Sequence, residues 1–409
     1  MPDDLRTHDL VLYGATGFVG ELTAAHLAGH APPGARIALA GRSRERLAAV
    51  RARLPGPARD WPLVQADATD PASLAALAGA TRVVVTTVGP YAKYGLPLVE
   101  ACARAGTHYA DLTGEVLFVR QAVDRYDALA RESGARIVHA CGYDSIPSDL
   151  AVLLLHERAA ADGAGGLRDV RLTATARGGL SGGTIDSIRT QVDTMRRDPA
   201  ARRTAADPFA LSPDRAAEPD TPQPSATGRP ARTGDGRWTA PFIMAAFNTR
   251  IVRRSNALQG WSYGRELRYS EVMGTGRGPL GAVAAAGVSA GLFAFLAAMT
   301  VRPTRALLDR VLPAPGTGPS AATRERGWFR MAVDASTESG ARYHAEIRGR
   351  GDPGYAATAV MLGQSGLALA LDGDRLPARA GSLTPATALG TVLVERLRAA
   401  GHTYEVAPA

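Results

Sequence analysis

Cysteine is nearly absent from this chain. Cys102 and Cys141 are the only two, too few for a disulfide framework or a four-cysteine metal site. Lysine is scarcer still: Lys93 stands alone, so the rest of the 47 basic residues are arginine. Aromatic residues make up 6% of the chain. There is no zinc finger, no RNP-like aromatic motif and no long basic run, which argues against a nucleic-acid reader. Met1 to Arg6 contain no apolar stretch of the kind that begins a secretory signal. A cytoplasmic protein with no metal is therefore expected.

What is present is ordinary in amount and uneven in distribution. The 409 residues are 45% hydrophobic with a formal charge of +8, a globular composition long enough for two domains. The charge comes from a general arginine bias, so a single arginine means little unless its position is special. Acidic ligands, such as a dinucleotide phosphate, an acyl carrier or an anionic lipid surface, suit this balance better than nucleic acid.

Over the first 150 residues, short apolar runs alternate with helical stretches. Asp9–Tyr13, Arg36–Ala40, Leu63–Ala66, Arg82–Val88 and Arg136–Ala140 read as strands. Thr16–Ala28, the charged stretch from Arg44 to Val50, and Leu96–Ala105 read as helices. Continuous Val/Ile/Leu strands between helices predict a parallel sheet covered on both faces, a doubly wound Rossmann domain.

The turn after the first strand reads Gly14-Ala-Thr16-Gly17-Phe18-Val19-Gly20. Gly14 suits the tight turn, Gly17 lets a pyrophosphate approach the backbone, and Gly20 lets the helix pack on the strand. The opening turn of the helix then offers free N–H groups to phosphate. At the end of the second strand an NAD site places Asp or Glu. Here the sequence is Gly41-Arg42-Ser43-Arg44, with no acid before Glu45. Arg42 and Ser43 suit a 2′-phosphate, so NADP(H) is the expected cofactor; the alternative for Arg42 is a solvated side chain at a helix start. Asp67 falls where an adenine edge would lie, or it caps the next helix. Gly89, Pro90 and Tyr91 end the fourth strand and should line the nicotinamide side. Lys93, close by, is either a catalytic lysine or an exposed residue of a helix start.

Three stretches together resemble the saccharopine dehydrogenase-like oxidoreductases, with the closest likeness to bacterial trans-acting enoyl reductases: Gly14–Gly20, Gly106-Thr-His-Tyr-Ala-Asp-Leu-Thr-Gly-Glu115, and Cys141-Gly-Tyr-Asp-Ser-Ile-Pro-Ser-Asp149. Pro315–Ser320, Gly351–Tyr355 and Leu383–Gly390 are similar too, so the resemblance spans nearly the whole chain. It implies an NADP-type Rossmann domain followed by an α+β domain with a mixed or antiparallel sheet. It also implies reduction of a carbon–carbon double bond in a hydrophobic lipid or polyketide intermediate, which a carrier protein could present. The family usually has Phe where this chain has Tyr143. That makes the hydroxyl of Tyr143 a weak candidate for the proton donor, beside Asp144 and Ser145, which the motif places at the cofactor end of the sheet. Asp111, Glu115, Ser148 and Asp149 either meet substrate or cap helices. An imine-forming amino-acid dehydrogenase of the saccharopine type and a non-catalytic nucleotide-sensing scaffold stand as alternatives.

Residues 151–380 are expected to form the substrate domain, and 381–409 a C-terminal helix packing back on the Rossmann part. Residues 168–176 alternate as a half-buried strand. Gly178–Thr184 is a glycine loop that either admits a ligand or merely turns, and a helix with Ile188, Val192 and Met195 follows. Asp198–Arg237, rich in proline, reads as a long irregular loop. Residues 328–350 read as a hairpin, and 355–371 and 385–399 as helices returning to the first domain. Leu280–Val301 has no charged residue, and as a helix it would be about 33 Å long. Three readings remain for it: a buried or channel-lining helix, a helix on a membrane surface, and a membrane span.

Overall fold

A computed structural model of the protein describes residues 6–178, 182–225, 229–234, 236–300, 303–305, 308 and 317–409. The first part runs β1 (His8–Tyr13), α1 (Phe18–His30), β2 (Ile37–Gly41), α2 (Arg44–Ala52), β3 (Leu63–Gln65), α3 (Pro71–Gly79), β4 (Thr81–Thr86), α4 (Tyr91–Ala105), β5 (His108–Ala110), α5 (Val116–Ser133), β6 (Arg136–Val138) and α6 (Ile146–Ala161). The second part contains β7 (Leu167–Arg177), α7 (Gly182–Arg197), α8 (Pro199–Ala206), β8 (Ala231–Arg232), β9 (Arg237–Pro241), α9 (Ala245–Leu258), β10 (Arg268–Arg277), α10 (Gly278–Thr300), α11 (Ala321–Glu325), β11 (Trp328–Thr337) and β12 (Arg342–Arg350). The chain ends with α12 (Thr358–Leu371), β13 (Gly381–Leu383), α13 (Pro385–Ala399) and β14 (Thr403–Pro408).

The first sheet has the order β13-β6-β5-β4-β1-β2-β3, and all its pairings are parallel. Leu10 lies between Ile37 and Val83 in register. Every residue of β1 and β2 is buried, as expected for strands covered on both faces. Strand order reverses direction between β1 and β4, so the loops leaving these two strands diverge and open a crevice. The second sheet, β14-β12-β11-β7-β10-β9-β8, is antiparallel except where β7 meets β10. Its strands alternate buried and exposed residues, most regularly in β12, because one face packs on helices and the other does not.

One hydrophobic core joins the two sheets. It contains Leu10 and Val85 of the first sheet, Val333 and Ile347 of the second, and Leu150, Val152 and Leu155 of α6 between them. Helix α12 falls within the 151–380 span expected for the substrate part, yet it returns to the first domain, as expected for 355–371: it packs on α1, β1 and β4, and an added Cβ at Gly366 would strike Val85 and Leu10. Residues 381–383 extend the first sheet through β6, whereas 403–408 pair with β12 in the second. The chain therefore returns to the first layer and then crosses back. The physical reason is that α12 is almost wholly buried and needs apolar cover on all sides, which the first sheet and α13 supply.

The described residues of Asp198–Arg237 also hold more regular structure than expected, with α8 and β8 among them. Asp198 caps α8 by accepting a hydrogen bond from Ala200 N at 2.7 Å. The following carbonyls are held by buried arginines of α9. Arg250 donates to Asp207 O at 2.9 Å, Arg253 to Pro208 O at 3.1 Å, and Arg254 to Leu211 O at 2.6 Å and to Ser382 O. Proline-rich backbone has carbonyls that no helix or sheet partner claims, and the guanidinium forks satisfy them.

Asp149, in the first turn of α6, is fully buried. Its carboxylate accepts from Ser255 Oγ of α9 and from Ala386 N of α13 at 2.8 Å. Replacing Asp149→Ala would leave Ala386 N without its acceptor in the core and Ser255 Oγ with only Ile251 O and Thr384 Oγ1, at about 3 kcal/mol. The variant should melt several degrees lower, with amide exchange at Gly381–Leu383 accelerated. Unchanged melting would show that the carboxylate does not hold these helices together.

Candidate active site

The glycine turn sits at the crevice. Gly14 has φ +89°, and an added Cβ would lie 2.7 Å from Thr87 Oγ1. At Gly20 an added Cβ would lie 2.1 Å from Gly14 O, so only glycine allows α1 to start this close to β1. Thr87 Oγ1 donates to Gly14 O at 3.0 Å and Thr87 N to Tyr13 O at 3.0 Å, which ties the loops after β1 and β4 together. The backbone N–H groups that open α1 carry no side-chain cap, leaving them free for phosphate. Phe18 contributes through its place in that turn; its ring is engaged elsewhere, edge-on to Tyr355 at 5.0 Å and beneath Arg324 at 5.1 Å.

Arg42 follows β2 and is exposed. No carboxylate occupies the position that an NAD site would fill, so the residues present fit a 2′-phosphate. Ser43 is committed to capping α2, its Oγ accepting from Arg46 N at 3.2 Å, although its hydroxyl proton stays available. Asp67 caps its own turn: Oδ1 accepts from Thr69 N at 2.8 Å and Thr69 Oγ1 at 2.7 Å, and these bonds hold its pKa low. The next helix, α3, is capped instead by Asp70, whose Oδ1 accepts from Ala72 N at 3.0 Å, so Asp67 closes the turn before the helix and does not cap it.

A cavity of about 740 Å³ extends from this turn into the space between the two parts of the molecule. Gly17, Phe18, Val19, Thr87, Gly89, Pro90 and Tyr91 line its cofactor end. Gly142, Asp144, Gly182–Thr184 and Ser187 surround its middle. Ile188, Val192 and Met195 of α7, Phe242, Met244 and Phe247 around α9, and Leu292, Phe293 and Leu296 of α10 form its outer wall. The Gly178–Thr184 loop thus does approach a ligand-sized space with Gly182–Thr184, while 179–181 lie outside the described residues. The sequence flagged the apolar faces of α7 and α10. It gave no signal for Phe242, Met244 and Phe247, because nothing local says which side of an irregular segment faces a distant helix.

The Cys141–Asp149 motif separates into one cavity residue and several structural ones. Asp144 lines the cavity, opposite Gly114, where an added Cβ would lie 3.7 Å from Asp144 Oδ2. Its carboxyl has no hydrogen-bond partner among the described residues, and burial alone pushes its pKa up to about 7. Ser145 is corrected: its Oγ donates to Asn248 Oδ1 at 3.1 Å inside the core, away from the cavity. Tyr143 is corrected as well. Its ring packs at 5.1 Å on Phe329, and its hydroxyl is buried without a partner.

Asp111 and Glu115 are internal. Asp111 accepts from Tyr109 OH, His139 Nδ1, Thr113 N and Ala140 N. Glu115 accepts from Tyr91 N at 3.0 Å, Ala92 N at 2.8 Å and Ser187 Oγ at 2.6 Å. It thereby caps α4 and ties the nicotinamide-side loop to α7. Lys93 is exposed on α4 outside the main cavity; its neighbours across a smaller polar recess include Asp186, Arg189 and Asp193.

The sheet order, the glycine turn and the arginine after β2 define an NADP(H)-dependent oxidoreductase with a second domain closing over the cofactor. The family described as saccharopine dehydrogenase NADP binding domain matches residues 10–138. Yeast saccharopine dehydrogenase (L-Glu forming) from Saccharomyces cerevisiae shares the fold, with a TM-score of 0.54 over 98% of this chain and 99% of that one at 13% identity. A Mycobacterium tuberculosis protein provisionally designated a trans-acting enoyl reductase is 54% identical over 98% of this chain and 97% of its own. The trans-acting enoyl reductase of Mycobacterium bovis is 51% identical over 97% of each chain. The chain belongs to the trans-acting enoyl reductases of the saccharopine dehydrogenase-like family.

Two outcomes follow. Arg42→Asp should weaken NADPH binding about ten- to a hundredfold, the worth of one charge-assisted hydrogen bond, and leave NADH binding nearly unchanged. Equal losses by isothermal titration would remove Arg42 from the 2′-phosphate. The second concerns Asp144. Its folded pKa lies near 7, above the value of about 4 in an unfolded chain. The native state thus holds the extra proton between these values, and the stability present below about pH 4 is lost as pH rises toward 7. Asp144→Asn should match the parent's Tm at pH 4 and exceed it at pH 8, by a few kcal/mol in stability. An equal Tm difference at both pH values would contradict a desolvated carboxyl.

Proposed function

We propose that the protein is an NADPH-dependent reductase of a carbon–carbon double bond in a hydrophobic acyl or polyketide intermediate, presented as a carrier-bound or lipid-linked chain. The observation that carries this reading is the junction inside one cavity: a glycine-turn cofactor end, the Asp144 carboxyl in the middle with its pKa raised by burial and no hydrogen-bond partner among the described residues, and a largely apolar outer wall, with Asp186 the other carboxyl of the lining. Relatives 50–51% identical to it are known as trans-acting enoyl reductases, which supports it.

NADPH, when bound, supplies hydride, which adds to the β-carbon of an enoyl thioester or enone. The turn of Gly14–Gly20 and the start of α1 hold the pyrophosphate, Arg42 holds the 2′-phosphate, and Gly89–Tyr91 border the nicotinamide end. Asp144 holds the proton that the α-carbon needs after hydride addition. With its pKa near 7, about half of it is protonated at neutral pH, and that form can release the proton to a carbanionic carbon. Leu112, Met244 and Phe247 exclude water beside it, and α7 and α10 accommodate the acyl chain.

A saccharopine-type dehydrogenase would need cations free to read the carboxylates of an amino acid. The buried cation at the cavity wall, Arg250, spends its donors on Asp207 O, Ala246 O and Ala205 O. Arg229, exposed, is the other arginine of the lining, so it is the buried part of the cavity that favours an uncharged substrate end.

Asp144→Asn should lower turnover of an enoyl thioester by about 10²–10⁴-fold and leave NADPH affinity unchanged. In the parent, turnover should fall as pH rises through about 7, since the acid is then lost. Stereospecific transfer of deuteride from labelled NADPH to the β-carbon is the direct readout. Absence of transfer to every enoyl thioester and enone tried would rule out the reductase; full activity in Asp144→Asn would assign the proton elsewhere.

A further inference from the structure

Helix α10 is not buried, contrary to one reading of its sequence. Only Gly281, Ala285 and Met299 of its 23 residues are buried. Leu280 is 84% exposed, Val283 71% and Phe293 77%. From Leu280 to Ala297 every exposed residue is Leu, Val, Phe, Ala or Gly, so an entire helix face meets solvent without one polar side chain. A helix that is apolar all round belongs in a core or in lipid. The comparably apolar α12 is 78% buried over its most hydrophobic stretch, against 11% for α10.

The inner face of α10 packs along its length on β9, β10 and α7. A helix held by protein on one side cannot cross a bilayer with lipid all round, but it can lie flat with the other side in the acyl boundary. Its ends carry positive charge. Arg277 is exposed just before the helix. Arg196 donates to Thr300 O at its last turn, and Arg197 is exposed beside it. Of the acids next to them, Asp193 is paired with Arg305 and Asp198 caps α8. An apolar face with arginines at the rim is complementary to anionic headgroups over an acyl layer. An acidic carrier protein would instead need charge on the face itself.

The same helix forms the cavity wall through Ser289, Leu292, Phe293 and Leu296. We propose that α10 docks the protein on an anionic phospholipid surface, so that a membrane-resident acyl chain reaches the cavity past α10 without crossing water. The delivery half of this proposal rests on the reductase reading above; the docking half does not.

Flotation of the full-length protein tests docking. The vesicles are phosphatidylcholine alone and phosphatidylcholine mixed with phosphatidylglycerol. Co-flotation with the mixed vesicles is expected, weaker by at least about tenfold with the neutral ones and reduced by salt. The double variant Leu280→Glu, Val283→Glu alters two outward residues that do not line the cavity. It should lose flotation while keeping the parent's melting temperature, NADPH affinity and turnover of a soluble short-chain enoyl thioester. No flotation of the parent, or undiminished flotation of the variant, overturns docking. A parent dimer that the variant splits, without flotation, overturns it in favour of a second copy covering α10. Binding only to an acyl carrier protein overturns it in favour of a protein partner. Failure of the reductase reading shows instead as absent hydride transfer, whatever the flotation result.

Discussion

The buried carboxylate of Asp149 is the constraint on which the two-layer arrangement depends. It lies in the first turn of α6, the helix that packs on the second sheet, and it joins α6 to α9 through Ser255 and to α13, which follows a strand of the first sheet, through Ala386 N. A carboxylate can stay in such a place only if donors surround it, and those donors come from segments more than a hundred residues away. Burial still pushes its pKa up to about 7. Five residues earlier, Asp144 has its pKa raised to the same value by burial alone, but its carboxyl faces the cavity with no hydrogen-bond donor beside it. One short motif thus supplies a structural acid and a chemical one. The difference lies only in what the rest of the chain brings to each.

The two parts of the molecule divide the work by the kind of surface they present. The first sheet provides backbone: a glycine turn, helix-start N–H groups and loops that diverge where the strand order reverses. These features suit a charged, conserved shape such as a dinucleotide. The second part provides side chains from α7, α9 and α10: Ile188, Val192, Met195, Phe247, Leu292, Phe293 and Leu296 form an apolar wall, interrupted by a few polar groups such as Asp186, Gln191 and Ser289, and this suits a substrate that is mainly hydrophobic. Glu115 couples the halves. It caps α4 from the first part while accepting a hydrogen bond from Ser187 of α7, so the floor of the nicotinamide side and one wall of the acyl side are set by a single side chain.

The Rossmann half was legible because its signals are local. Gly14 and Gly20 are glycines for reasons of contact within a few residues, and Arg42 is informative because of what is missing beside it. The hairpin of β11 and β12 was likewise legible from alternation. The destiny of Leu280–Val301 was not. Its lack of charge said that it avoids water, and only the packing of β9, β10 and α7 against one face showed that the other face is left uncovered. Tyr143 and Ser145 were misjudged for a related reason. Adjacent positions in a tight turn point in different directions, and Phe329 and Asn248, which claim these two side chains, come from distant elements.

The sequence by itself determined the cofactor site, since a phosphate-binding turn is made by neighbouring residues whose spacing is fixed by strand and helix geometry. Tertiary structure alone decided which acid is free, which wall is greasy and which apolar helix stays outside. Those are questions of which groups remain unpaired after every long-range contact has formed, and no local pattern encodes the sum of those contacts.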